Sequence, residues 1–228
     1  MSRGIPLKRK LPAQSRWTHQ AVQARSQKTM ERILDATEKL MRKRPFREIA
    51  VAEIAQEARA APTSLYARFE NKQAILGALF ERHAHSHQQL FDQLAEPGQW
   101  NGVPLAIVLR KTFPAIVDSY RARQGLLRAF LEQAAEDRRF REDWSRVGQF
   151  IEKTVLGLVL ARPDEVGHPD PVQGVRVCME AVFATLSVRV LMHAIDGPEV
   201  RVLTEEMIGM MLRYMGIRDP QADVPLRR

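Results

Sequence analysis

The stretch Pro62-Thr63-Ser64-Leu65-Tyr66-Ala67-Arg68-Phe69, followed by Lys72, gathers two hydroxyls, a phenol, a guanidinium and an ammonium in a short span. These groups donate hydrogen bonds to phosphate oxygens and base edges. They form neither a nucleophile–base pair nor a metal-ligand set. Leu65 and Phe69, four apart, face the other way and anchor the segment in a core. Pro62 stands where proline suits a helix, at its first position. A short apolar-faced helix over Val51–Ala58 precedes it, and Arg59-Ala60-Ala61 makes the turn. Two short helices with so brief a turn describe a helix-turn-helix. Its second helix would enter a major groove and read bases with its N-terminal residues. Tyr66 and Lys72 then suit phosphate. Arg68 suits either phosphate or a guanine edge, and the sequence does not separate them.

The elements that hold this segment are helical. Gly4 is followed by no glycine until Gly77, and no run alternates as a half-buried strand does. A first helix is expected over Arg25–Arg44, with Met30, Ile33, Leu34, Thr37, Leu40 and Met41 on one face and Pro45 as its stop. Phe46–Ala50 connects it to the second. A long helix is expected over Gln73–Leu94. Further helices are expected over Pro104–Arg123, kinked or broken at Pro114, and over Gly125–Asp137, Phe140–Ala161, Asp170–Ile195 and Glu199–Met215. The last two are apolar nearly all round. This pattern fits a dimer interface and a monomer core equally. The fold class is all-α: a basic arm over 1–24, a three-helix unit over 25–72, and a larger helical domain over 73–228.

Charge is divided along the same line. The 228 residues carry a net charge of +8. Residues 1–72 hold 16 Lys+Arg against 7 Asp+Glu, and the remainder holds 19 against 20. A basic segment on a near-neutral body points to a polyanion partner for the first part only. Lys8, Arg9, Lys10 and Arg16 lie in the arm, which either adds phosphate or minor-groove contacts or is a solubilising tail. With one cysteine, Cys178, there is no internal disulfide, and a reducing, cytoplasmic setting fits. No apolar run is long enough for a membrane span. The basic N-terminus, lacking a hydrophobic block behind it, does not read as a secretion signal.

Other constellations read as structural. His83 and His87 share a helix face, but nothing in register completes a metal site, so no metal and no cofactor are expected. Glu132, Glu136 and Asp137 alternate with Arg128, Arg138, Arg139 and Arg141, as on an exposed ion-paired helix. Cys178 reads as an inert core thiol. Arg189, inside an apolar helix, needs a partner: a carboxylate is the favoured expectation, and a contact across the dimer interface or an anionic ligand are the alternatives.

The segments Ile33-Leu34-Asp35-Ala36, Val51-Ala52-Glu53-Ile54-Ala55-Gln56-Glu57-Ala58 and Ser64-Leu65-Tyr66-Ala67-Arg68-Phe69-Glu70-Asn71-Lys72-Gln73-Ala74-Ile75-Leu76 resemble the TetR/AcrR family of bacterial regulators. The resemblance covers about residues 25–76. It implies a homodimer with an N-terminal DNA-binding domain, a C-terminal domain with a small-molecule pocket, and a ligand-driven shift of the helix after Lys72. It places Tyr66 and Lys72 on phosphates, Thr63, Ser64, Ala67 and Arg68 at or near the bases, and Ala52 close to the backbone; Pro62 and Arg25 are further DNA-binding candidates. The family usually has glycine where Arg59 stands. If that site is left-handed, arginine there costs roughly 1 kcal/mol; the alternative reading is that Arg59 adds a cation near DNA.

The expected partners are a double-stranded DNA operator, a second copy of the chain, and a small apolar effector. Effector-lining candidates are Leu79, His83, His87, Phe113, Val117, Tyr120, Phe130, Met179 and Phe183, each of which also fits packed core. The function expected is that of a repressor released by its ligand. A ligand-independent regulator or an activator is the nearest alternative, and an all-α enzyme or a membrane-surface binder the more distant ones.

Overall fold

The computed structural model describes residues 24–94, 96, 98–197 and 199–220, with side chains from Gln27 onward. The basic arm, with Lys8, Arg9, Lys10 and Arg16, lies outside the described residues, as does the side chain of Arg25. Among the described residues there are nine α-helices and no strand. They are α1 Ala24–Met41, α2 Val51–Glu57, α3 Pro62–Tyr66, α4 Lys72–Leu94, α5 Leu105–Ala122, α6 Gln124–Glu136, α7 Arg138–Leu160, α8 Pro171–Leu191 and α9 Glu199–Tyr214.

The helix ends show local chemistry at work. α1 stops at Met41, three residues short of the expected Arg44, because the residue before a proline is driven out of the helical region. α3 ends at Tyr66, before the expected Phe69, where the Arg68 and Phe69 N–H groups both donate to the Leu65 carbonyl at 2.9 Å. α7 starts after Asp137, whose carboxylate accepts from the Arg139 and Phe140 N–H groups at 2.8 and 3.2 Å. Pro114 lies within α5, which runs on from Leu105 to Ala122, so of the expected kink or break the break does not occur.

Packing gathers two compact units. The first holds the described residues through Leu40 together with Ile49–His87, and the second holds Met41–Glu48 and the chain from Gln88 on. α4 therefore contributes to both, and the 41–48 connector belongs with the larger unit.

In the first unit, Ile33, Leu34, Ile49, Ile54, Leu65, Phe69, Ile75 and Leu79 form the buried core. Arg82 of α4 reaches three carboxylates on one face of α1, with Glu31 at 3.0 Å and Asp35 and Glu38 at 2.7 Å. Half-burial works against the Arg82 charge, but the hydrogen bonds it donates to Glu38, Asp35 and Glu31 outweigh it and hold its pKa above the usual arginine value.

In the second unit, α6, α7 and α8 pack on one another, and α5 packs on α9 and α8. Gly125, at the start of α6, lies so close to the Met41 carbonyl that a Cβ there would overlap it. Arg47 of the connector pairs with Glu132 of α6 at 3.6 Å. Cys178 is buried, and burial pushes its thiol up to about 11. Arg189 corrects another expectation. Its Nη1 donates to the Ala194 carbonyl at 3.1 Å, beyond the end of α8, so a helix terminus and not a carboxylate is its partner.

Candidate nucleic-acid interface

Glu53, in the first turn of α2, accepts from the Ala50 N–H at 2.7 Å and so satisfies one free donor of that helix start. Ile54, Ala55 and Ala58 bury one side of α2, leaving Ala52 and Gln56 exposed on the other. The helix closes in a Schellman turn, with the Arg59 N–H donating to the Gln56 carbonyl at 3.0 Å and the Ala60 N–H to the Ala55 carbonyl at 2.9 Å. Arg59 occupies the left-handed position of this turn, at φ 49°.

α3 follows directly. Leu65 and Phe69 are fully buried and fix its orientation. Pro62, Thr63, Tyr66 and Ala67 are exposed and Ser64 is half-buried, so the predicted reading face is an exposed strip on an apolar base. Tyr66 is the extreme case: 55% of this large aromatic side chain meets solvent. Arg68 folds back, its Nη1 donating to the Ser64 carbonyl at 2.6 Å. That bond holds the guanidinium beside the strip.

Lys72 opens α4. Partial burial pulls its ammonium below the ordinary lysine range, and the Glu53 charge opposes that shift. Asn71, which sequence reasoning did not single out, accepts from the Ala74 N–H at 2.9 Å and caps α4 beside Lys72. Its signal was legible, an asparagine just before a long apolar run. Lys39 of α1 pairs with Glu57 of α2 at 2.5 Å. So the residues from Ala52 to Lys72 named for DNA sit together in the first unit. Arg25 contributes its place near the start of α1.

The effector candidates divide. Leu79, His83 and His87 are buried in the part of α4 that belongs to the first unit, with the two imidazole centroids 4.2 Å apart. Phe113, Val117, Tyr120, Phe130 and Met179 are buried in the second unit, and Phe183 is half-buried there. Phe130 packs on Phe140 and Trp144, with centroids 5.8 and 5.9 Å apart. Burial raises the Tyr120 phenol well above its usual pKa. Among the described residues no group of three or more His, Cys, Asp or Glu stands close enough to hold a metal ion. Nor is any described helix long and apolar enough to cross a membrane.

Two family models match the chain. "Bacterial regulatory proteins, tetR family" covers residues 33–79. "Tetracyclin repressor-like, C-terminal domain" covers residues 104–215. The HTH-type transcriptional regulator YvkB of Bacillus subtilis is 32% identical over 65 residues, which is 28% of this chain and 34% of YvkB, so the match spans about a third of that relative's length. A TetR transcription regulator from Haloarcula marismortui superposes with a TM-score of 0.67 at 14% identity, covering 83% of this chain and 97% of its own. SmeT in complex with triclosan superposes with a TM-score of 0.61 at 21% identity, covering 84% of this chain and 93% of its own. These structures share the fold, and the two models together take in both helical parts. The chain belongs to the TetR family of DNA-binding bacterial transcriptional regulators.

Proposed function

We propose that the chain is a dimeric repressor that binds a pseudo-palindromic operator and leaves it when a small apolar molecule binds. The observation that carries this reading is the exposed strip Pro62–Ala67, with Tyr66 turned to solvent, standing on the buried pair Leu65 and Phe69. In this reading Tyr66 and Lys72 hold phosphates. Pro62, Thr63, Ser64, Ala67 and Arg68 meet the bases, and Arg25 and Ala52 flank the backbone. Ala67 offers only apolar contact, suited to a thymine methyl.

Dimerisation is supported by α8 and α9. Val188, Leu191 and Met192 on α8 or its end, and Val202 and Met210 on α9, are exposed, and Met192 is 72% exposed. Large exposed apolar side chains clustered on two helices mark a surface for association, and a second copy of the chain supplies the same surface by two-fold symmetry. Two readers then meet successive major-groove turns with half-sites about 34–36 Å apart or a multiple of that.

An apolar effector is supported by the buried aromatic and methionine residues of the second unit, and by triclosan as the ligand of the similar SmeT. Release follows if the effector binds better to a state whose reader spacing does not fit the operator. The test is a mobility shift on duplexes enriched by the wild-type chain. Tyr66→Phe is expected to lower affinity severalfold, and Lys72→Ala about tenfold with a shallower salt dependence. If both variants bind as the wild type does, the assigned face is wrong.

A further inference from the structure

Among the described residues three helices end in the same turn. In each, one residue takes a left-handed conformation while the two N–H groups at the end bond back into the last helical turn. After α9 that residue is Gly216, at φ 63°. Glycine is the residue this position favours, because a Cβ is disfavoured there. After α8 it is His193, at φ 55°, and after α2 it is Arg59, at φ 49°.

Strain at such a site persists where something else offsets it. At His193 the offset is inside the protein. The Arg128 Nη2 lies 2.8 Å from His193 Nδ1, and the same guanidinium reaches the Val190 carbonyl at 3.3 Å. Arg128 is buried, so the imidazole fixes a charge that otherwise has only a backbone carbonyl to bond.

At Arg59 no such bond exists: among the described residues its guanidinium makes no hydrogen bond and no ion pair, and the residue is exposed. It lines a surface depression with Glu53, Gln56 and Glu57. Both acids there are engaged elsewhere. Glu57 is held by Lys39, and Glu53 by the Ala50 N–H while its charge acts on Lys72. The guanidinium is therefore left over in a turn three residues before Pro62, where the reading helix begins. Three residues span at most about 10 Å of chain.

We propose that Arg59 is a DNA-contacting residue, which holds a backbone phosphate from the turn between α2 and α3. The assignment rests on the regulator reading above. It adds a phosphate contact that makes no direct base readout. It also gives the strained turn its compensation in the complex: a charge-assisted bond to a phosphate oxygen.

The experiment compares wild type, Arg59→Gly and Arg59→Lys in the full chain. Each is measured for thermal unfolding without DNA and for affinity over a salt series, on one duplex enriched by the wild type. Glycine is expected to raise Tm by about 2–4 °C, since it relieves the strain. It is also expected to weaken binding roughly five- to tenfold and to reduce the slope of log K against log salt by about 0.9. Lysine is expected to keep the slope without the gain in Tm. Opposite movements of stability and affinity support the assignment. A glycine variant that binds the duplex with unchanged affinity and slope overturns it alone. So does a glycine variant with lowered Tm, which would show that the arginine stabilises the free protein. A wild-type chain that enriches no duplex overturns the regulator reading and the assignment together.

Discussion

The reader and the body leave opposite kinds of surface unsatisfied. In the first unit the segment from Val51 to Phe69 buries Ile54, Ala55, Leu65 and Phe69 and leaves Arg59, Thr63 and Tyr66 exposed. In the second unit α8 buries Val175, Met179, Val182, Leu186 and Val190 on one side and exposes Val177, Val188 and Leu191 on the other. The first surface suits a polyanion, whose binding weakens steeply with salt. The second suits an apolar partner, whose binding follows buried area and is nearly indifferent to salt. Under the proposed function one chain carries two association surfaces with different physical signatures, and perturbing them separately should separate those signatures.

The largest effect is expected on the body. Val188→Glu combined with Met192→Glu places two charges on the exposed apolar side of α8. Sedimentation should then show a monomer, and operator affinity should fall about a hundredfold or more, because two linked readers become one. A variant that stays dimeric would move the interface elsewhere.

Gly125→Ala comes next. A Cβ there meets the Met41 carbonyl, which cannot yield as a flexible side chain would. Overpacking of this kind costs about 1–3 kcal/mol, read as a Tm lowered by several degrees. An unchanged Tm would show that the connector gives way freely.

In the reader, Arg82→Gln leaves Glu31, Asp35 and Glu38 facing one another without their cation. The cluster is partly exposed, so a loss of about 1–2 kcal/mol is expected. High salt should shrink that loss, while it leaves the effect of Gly125→Ala unchanged.

The smallest effect concerns pH. The Lys72 pKa is lowered, so the folded chain loses that proton at lower pH than an ordinary lysine does. Phosphate binding needs the protonated form. Operator affinity is therefore expected to fall as pH rises toward the lysine range, by up to about the tenfold value of one phosphate contact. Lys72→Arg should flatten the fall, and equal pH profiles for the two proteins would remove Lys72 from the contact set.

The helices were legible in the sequence because the apolar period, Pro45, Pro62 and the glycine joints are local signals. The exposed strip was legible for the same reason: Leu65 and Phe69 are buried, and Thr63, Tyr66 and Ala67 are exposed. What the sequence left open involves partners far apart in the chain. Arg82 meets α1 carboxylates 44 to 51 residues away, and no periodicity foretells that. Arg189 was expected to need a carboxylate, but its long side chain reaches a carbonyl five residues on. The apolar sides of α8 looked alike in sequence, since periodicity does not tell burial within one chain from burial between two. Burial in the structure distinguishes Val190, fully buried, from Val188, 56% exposed. The turn at Arg59 lay between these cases. Its cost was legible as a condition, and the left-handed backbone meets that condition.

In the proposed function two copies of the reader act together on DNA. Selection of bound duplexes from a random pool by the full wild-type chain tests it most directly. One enriched motif is expected, made of two inverted half-sites with centres about 34–36 Å apart or a multiple of that. Enrichment of a single half-site without its inverted mate, or of no sequence at all, would contradict it.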